Sequence, residues 1–145
     1  MGYVISAFAL VFLLIAGGIQ LQSAEKLHVD RDNARARVLA DQMLLLASAI
    51  NHWRGGHTSK NGTVDLRKLI LPFQPDARIR HVISQGRLWV WMPEIPGLVA
   101  ALRERTKGSM LIGEVRQGRL YGLSGQAIGF TLPDGISDGD VVYFN

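Results

Sequence analysis

Residues 38–53 read VLADQMLLLASAINHW, and the apolar positions Leu39, Met43, Leu46, Ile50 and Trp53 recur at steps of four, three, four and three. That spacing lays them along one stripe of an α-helix, with Asp41, Ser48, Asn51 and Arg54 off it. A helix with a single apolar stripe needs a surface to cover it. Val29 and Ala36 extend the stripe backward from Met43 at seven-residue steps, through a polar run, EKLHVDRDNARAR, that contains neither Pro nor Gly. The helix is therefore expected to cover residues 25–54 and to end at Gly55-Gly56.

Working toward the N-terminus, residues 3–21 read YVISAFALVFLLIAGGIQL, nineteen residues interrupted only by Ser6, two glycines and Gln20. Residues 1–24 contain no Asp, Glu, Lys or Arg. At about 1.5 Å per residue such a helix matches the roughly 30 Å hydrocarbon core of a bilayer. The expectation is an uncleaved transmembrane anchor over residues 1–24, with Tyr3, Phe8, Phe12, Leu14 and Leu21 facing lipid, because no basic side chain precedes the run as in a secretory signal. Lys26, Arg31, Arg35 and Arg37 follow the span closely. By the positive-inside rule they favour a cytoplasmic C-terminal domain.

Working toward the C-terminus, the pattern changes period from helical to alternating. Asp65 and the following LRKLIL form a short helix candidate halted by Pro72. Residues 78–84 and 87–92 alternate around Gln85-Gly86, which predicts a β-hairpin with Arg80 opposite Trp91 and Val82 opposite Trp89. A second amphipathic helix is expected over residues 98–106, and a second hairpin over 110–123 turning at Gln117-Gly118. Residues 125–132 and 140–145 read as final strands. The fold class is α+β: an N-terminal transmembrane helix continuing into a long amphipathic helix, packed on a mostly antiparallel sheet, with residues 25–145 forming a single domain.

Composition bounds the chemistry. The 145 residues include no Cys, which excludes disulfides, Cys-ligated metals and thiol catalysis. The net charge of +4, from 16 Lys and Arg against 12 Asp and Glu, is too mild and too dispersed to mark a nucleic-acid binder. Gly122-Leu123-Ser124-Gly125-Gln126 begins like a nucleophile elbow, but Gln126 stands where the last glycine is required. His28, His52, His57 and His81 lack metal-ligand spacing, and Asp134, Asp138 and Asp140 lack the ligand pattern of a calcium loop. No catalytic residue, cofactor or metal is expected, and a membrane-tethered hydrolase using Ser124 or a histidine stands only as an alternative.

The feature that points to binding is the first hairpin. Alternation sends Ile79, His81, Ile83, Leu88, Val90 and Met92 to one face, and Trp89 and Trp91 to the other with Arg78, Arg80 and Arg87 nearby. Aromatic and Arg side chains dominate interface energies, so these five residues are the candidate partner-binding site. The competing reading buries both rings in a strand pair covered on each side.

The anchor, the segment LADQMLLLASAINHWRGGHTSKNGTVDLRKLILP and the strand-rich C-terminal half together resemble the PilM proteins of conjugative thin type IV pili. The resemblance implies a small inner-membrane component of a pilus assembly apparatus that binds other assembly proteins, and a C-terminal domain in the periplasm, against the loop charge count. Self-association through the N-terminal helix is left open, and nucleic acid is not expected as a partner. The same segment is similar to pilins and pseudopilins, which have a long N-terminal helix packed on an antiparallel sheet. The prepilin pattern is missing, since the fifth residue after Gly2 is Ala7 rather than Glu.

Overall fold

The computed structural model describes residues 2–58 and 60–145; for residues 2–5 and 16–23 it describes the backbone alone. Helix α1 spans Gly2–Gly55, 54 residues without a break, or about 80 Å at 1.5 Å per residue. The polar run after the apolar segment thus continues the helix. Among the described residues no helix is long and apolar enough to cross a membrane. Of the expected anchor positions, Tyr3 and Leu21 lie outside the described side chains.

Strands β1 (Arg80–Ser84) and β2 (Arg87–Pro93) form the first hairpin, with Arg80 opposite Trp91 and Val82 opposite Trp89, as the alternation predicts. Helix α2 (Leu98–Thr106) follows, then β3 (Ile112–Arg116) and β4 (Arg119–Gly122), a two-residue β5 (Ala127–Ile128) and β6 (Asp140–Phe144). Both hairpins turn on a Gln-Gly pair with positive φ at each residue: 52° and 75° at Gln85 and Gly86, 51° and 71° at Gln117 and Gly118. Such turns match the right-handed twist of the strands they join. The expected helix at residues 65–71 is only a 3-10 turn over Leu66–Lys68, with the Asp65 carboxylate accepting from the Arg67 N–H.

The six strands form one antiparallel sheet in the order β1-β2-β6-β3-β4-β5. The C-terminal strand is therefore central, inserted between the two hairpins. One face packs on α1 and α2 through Leu88, Val90, Met92, Ile112 and Val141, which meet Ala36, Leu39, Met43, Leu46 and Ile50 of α1. The predicted stripe is core from Ala36 onward; Val29, expected to extend it, is exposed. Three polar ties fix α1 to the rest: Arg105 Nε donates to Asp41 at 2.9 Å, the Asp76 N–H to Gln42 Oε1 at 2.8 Å, and Arg54 Nη2 to the Gly86 carbonyl at 2.7 Å. Gly97 permits α2 to start against α1, because a Cβ there would lie 3.0 Å from Asn33 Oδ1 and 3.3 Å from the Ala36 Cβ.

Candidate partner-binding site

The opposite face of the sheet is also closed. Trp89 and Trp91 point away from Leu88, Val90 and Met92 as expected, yet each is only 3% exposed. They belong to a second core with Val115, Leu120, Val142 and Phe144, covered by Ile128, Leu132 and Ile136. The expectation of two open rings is corrected here: β2 is an interior strand, and the irregular segment after β4 folds back over its outer face. Trp89 lies 5.7 Å from the Phe144 ring and 6.4 Å from Phe130, the latter edge-on.

The three arginines do not form one patch. Arg78 is held by Asp76, with Nε to Oδ1 and Nη2 to Oδ2 both at 3.0 Å, and this pairing holds the Asp76 carboxyl at about 2. Arg80 lies over the Trp91 ring at 5.4 Å, and Arg87 over Phe130 at 4.0 Å. These two guanidiniums roof the aromatic core, each by a cation–π contact. What remains accessible of the predicted site is thus its three arginines, Arg80 exposed and Arg78 and Arg87 half-buried.

The other residues weighed for chemistry are scattered. The Ser124 hydroxyl donates to Gln126 Oε1 in a groove with Arg103, Ser109, Met110 and Leu123, away from any histidine lining it. His57 stacks on Trp53 with ring centroids 4.5 Å apart, and it lines an apolar groove of about 260 Å³ with His52, Lys68, Leu69 and Ile70. His81 faces Val64, whose N–H donates to its Nε2 at 3.0 Å; burial pushes the imidazole pKa below its usual value. Among the described residues, no group of His, Asp and Glu is placed to hold a metal ion.

Sequence reasoning missed a cleft of about 600 Å³ between β3 and the 134–139 turn, lined by Glu94, Glu114, Arg116, Tyr121, Asp138 and Asp140. Two of its carboxylates are already engaged in building the turn. Asp138 accepts from the Gly118 N–H at 2.7 Å, and buried Asp140 accepts from the Ser137 N–H at 2.9 Å. Arg116 stacks over Tyr121 at 4.8 Å. Nothing in this set pairs a nucleophile with a base. Asp138 and Asp140, weighed above as calcium ligands, instead accept from backbone N–H groups of turns.

The N-terminal part of α1 is the remaining surface. Residues 6–15 and 24–35 are exposed, and the large apolar side chains Phe8 and Phe12 are each 73% exposed. The domain core is complete without them, since its first helical member is Ala36.

The chain matches known proteins. The PilM family model matches residues 10–144, nearly the full chain. The chain belongs to the PilM family. It is similar to PilM from Escherichia coli B7A, whose crystal structure shares 33% identity at a TM-score of 0.66 and covers 77% of this chain and 92% of that one. A pilM protein from Pseudomonas aeruginosa 2192 shares 27% identity at a TM-score of 0.45, covering 73% of this chain and 90% of that one. No curated protein matches the chain. As a PilM protein it is pilus-related, and its partners are to be sought among other pilus-assembly proteins.

Proposed function

We propose that this PilM protein is a bitopic inner-membrane component of the machine that assembles a conjugative thin type IV pilus. In this reading residues 1–24 anchor it, residues 25–145 stand in the periplasm, and it acts by binding other assembly proteins rather than by chemistry. The observation that carries the proposal is the apolar cylinder at the start of α1. Leu10, Leu13, Leu14 and Ile15 join Phe8 and Phe12 in projecting from every side of the helix, and all are more than half exposed. Fully apolar circumference on a helix is stable only inside protein or lipid. The domain offers these side chains no contact, so a bilayer is the environment that fits them.

The test is fractionation of cells carrying the full chain and a version reduced to residues 25–145. The full chain is expected to stay with membranes through alkaline carbonate extraction, and the shorter one to be released. Release of both would overturn the anchor. Alkaline phosphatase fused after Asn145 should be active if the domain is periplasmic; an inactive fusion with an active cytoplasmic reporter at the same site would reverse the orientation.

A second reading, a pilin-like fibre subunit, is favoured by the packing of the lower half of α1 on an antiparallel sheet. Mass measurement of the mature N-terminus separates them, because a processed fibre subunit would lose residues ahead of its apolar helix.

A further inference from the structure

Helix α1 carries two apolar stripes, and the domain uses one. The residues that enter the core, Ala36, Leu39, Met43, Leu46 and Ile50, lie on one side of the helix. Nearly opposite them run Ala24, Leu27, Ala34, Val38 and Leu45, all exposed, with Leu27 at 66%, Val38 at 55% and Leu45 at 49%. Their spacings of three, seven, four and seven keep them on a single seam with a seven-residue repeat. The residues at the outermost position of that repeat are Val29 and Ala36, so the seam faces directly away from the domain.

We infer that this seam pairs with the same seam of a second copy, giving a parallel two-helix coiled coil along residues 24–38 with the two domains on its outer sides. The sign pattern of the flanking charges fits this occupant. With Leu27 and Ala34 at the d positions and Ala24 and Val38 at the a positions, Asp30 falls at g and Arg35 at the following e. In a parallel pair the g residue of one helix meets the next e residue of the other, so Asp30 faces Arg35 of the other copy, twice by symmetry. Arg31 occupies the a position between them, where its stem crosses the seam and its guanidinium lies beside the same Asp30. One polar a residue of this kind fixes register at some cost in stability.

The seam also ends where the fold requires. Asp41, the next d position, is already bound to Arg105 of the same chain at 2.9 Å, so the two helices diverge after Val38 and leave room for the domains. The pairing supplies what residues 24–35 otherwise lack. A helical stretch without packing on any side is marginal in water, and neither the membrane nor the domain covers this one. The parallel sense rests on the anchoring reading above, which inserts both N-termini into one bilayer; the choice of seam does not.

The absence of Cys makes the test direct. Single substitutions Leu27→Cys, Ala34→Cys and Val38→Cys in the full chain, oxidised in membranes and again in detergent, are expected to give about tenfold more disulfide-linked dimer than Val29→Cys on the opposite side. Adding Asp30→Arg to Ala34→Cys should lower the yield, and adding Arg35→Asp to that variant should restore it. Equal crosslinking at positions 27 and 29, or dimer at Ala34→Cys alone, as an antiparallel crossing would give, overturns the pairing. Carbonate extraction of the same samples reads the anchor separately, so a released chain that still crosslinks through the seam refutes only the membrane reading.

Discussion

Trp89→Ala should destabilise this domain rather than disable a binding surface. The ring is 3% exposed and sits between Phe144 at 5.7 Å and Phe130 at 6.4 Å, under the segment bearing Leu132 and Ile136. A buried Trp removes about 200 Å² from water, worth roughly 5 kcal/mol at about 25 cal/mol per Å². The rings can relax only partly into the space left, and measured costs of such truncations run about 3 to 5 kcal/mol. Against a total stability of about 5 to 15 kcal/mol, that is a large fraction. At roughly 4 °C per kcal/mol for a domain near this size, the midpoint should fall by about 12 to 20 °C. The assay is thermal melting of the full chain in detergent, followed by near-ultraviolet circular dichroism, with Arg78→Ala as the comparison. Arg78 and Asp76 form a solvent-accessible pair, so its loss should shift the midpoint little. A Trp89→Ala midpoint as close to the parent as that of Arg78→Ala would refute the second core and return the rings to the surface.

Three further outcomes are expected. Burial lowers the pKa of the His81 imidazole, so the unfolded chain binds its proton more readily; the stability it contributes is complete above the ordinary pKa of about 6.5 and is lost as pH falls below it, which a melting series from pH 8 to 5 should show in the parent and not in His81→Gln. Gly113→Ala should lower the midpoint by the equivalent of about 1 to 3 kcal/mol, because a Cβ there would lie 2.7 Å from the Tyr121 carbonyl oxygen, and backbone cannot move aside cheaply. Replacing Gln85 and Gln117 by Gly should raise it, each substitution removing a left-handed residue that costs about 1 kcal/mol, as read by denaturant midpoint.

The parts of the fold that were legible in the sequence are those fixed by neighbours in the chain. The four-three spacing of Leu39 to Trp53 located the packed half of α1, and the Gln-Gly turns set both hairpins, including the pairing of Arg80 with Trp91. What could not be read was which strands become neighbours across long separations. Residues 140–144, DVVYF, form a strand on any reading, but only the fold inserts it between β2 and β3. That insertion turns β2 from an edge into an interior strand, and the segment after β4 closes the face bearing the Trp rings. The signal was there in LWVWM, five apolar residues in a row, the mark of a strand covered on both sides rather than of one alternating between core and water. The candidate site failed because alternation tells which residues share a face and says nothing about whether that face is left open.

The free half of α1 and the packed half are one continuous helix, and under the proposed function this has a mechanical meaning. No Gly or Pro interrupts residues 19–54, so nothing in the sequence provides a hinge between the apolar end and the sheet. At the packed end the helix is held along its length by Ala36 through Ile50 and tied at Asp41, Gln42 and Arg54. Whatever fixes the direction of the N-terminal half therefore fixes the direction in which the sheet, the acidic cleft beside β3 and the Arg80–Arg87 roof are presented. A flexible tether of the same length would leave the orientation of the domain free. The continuous helix instead converts a choice of axis at one end into a choice of exposed surface at the other.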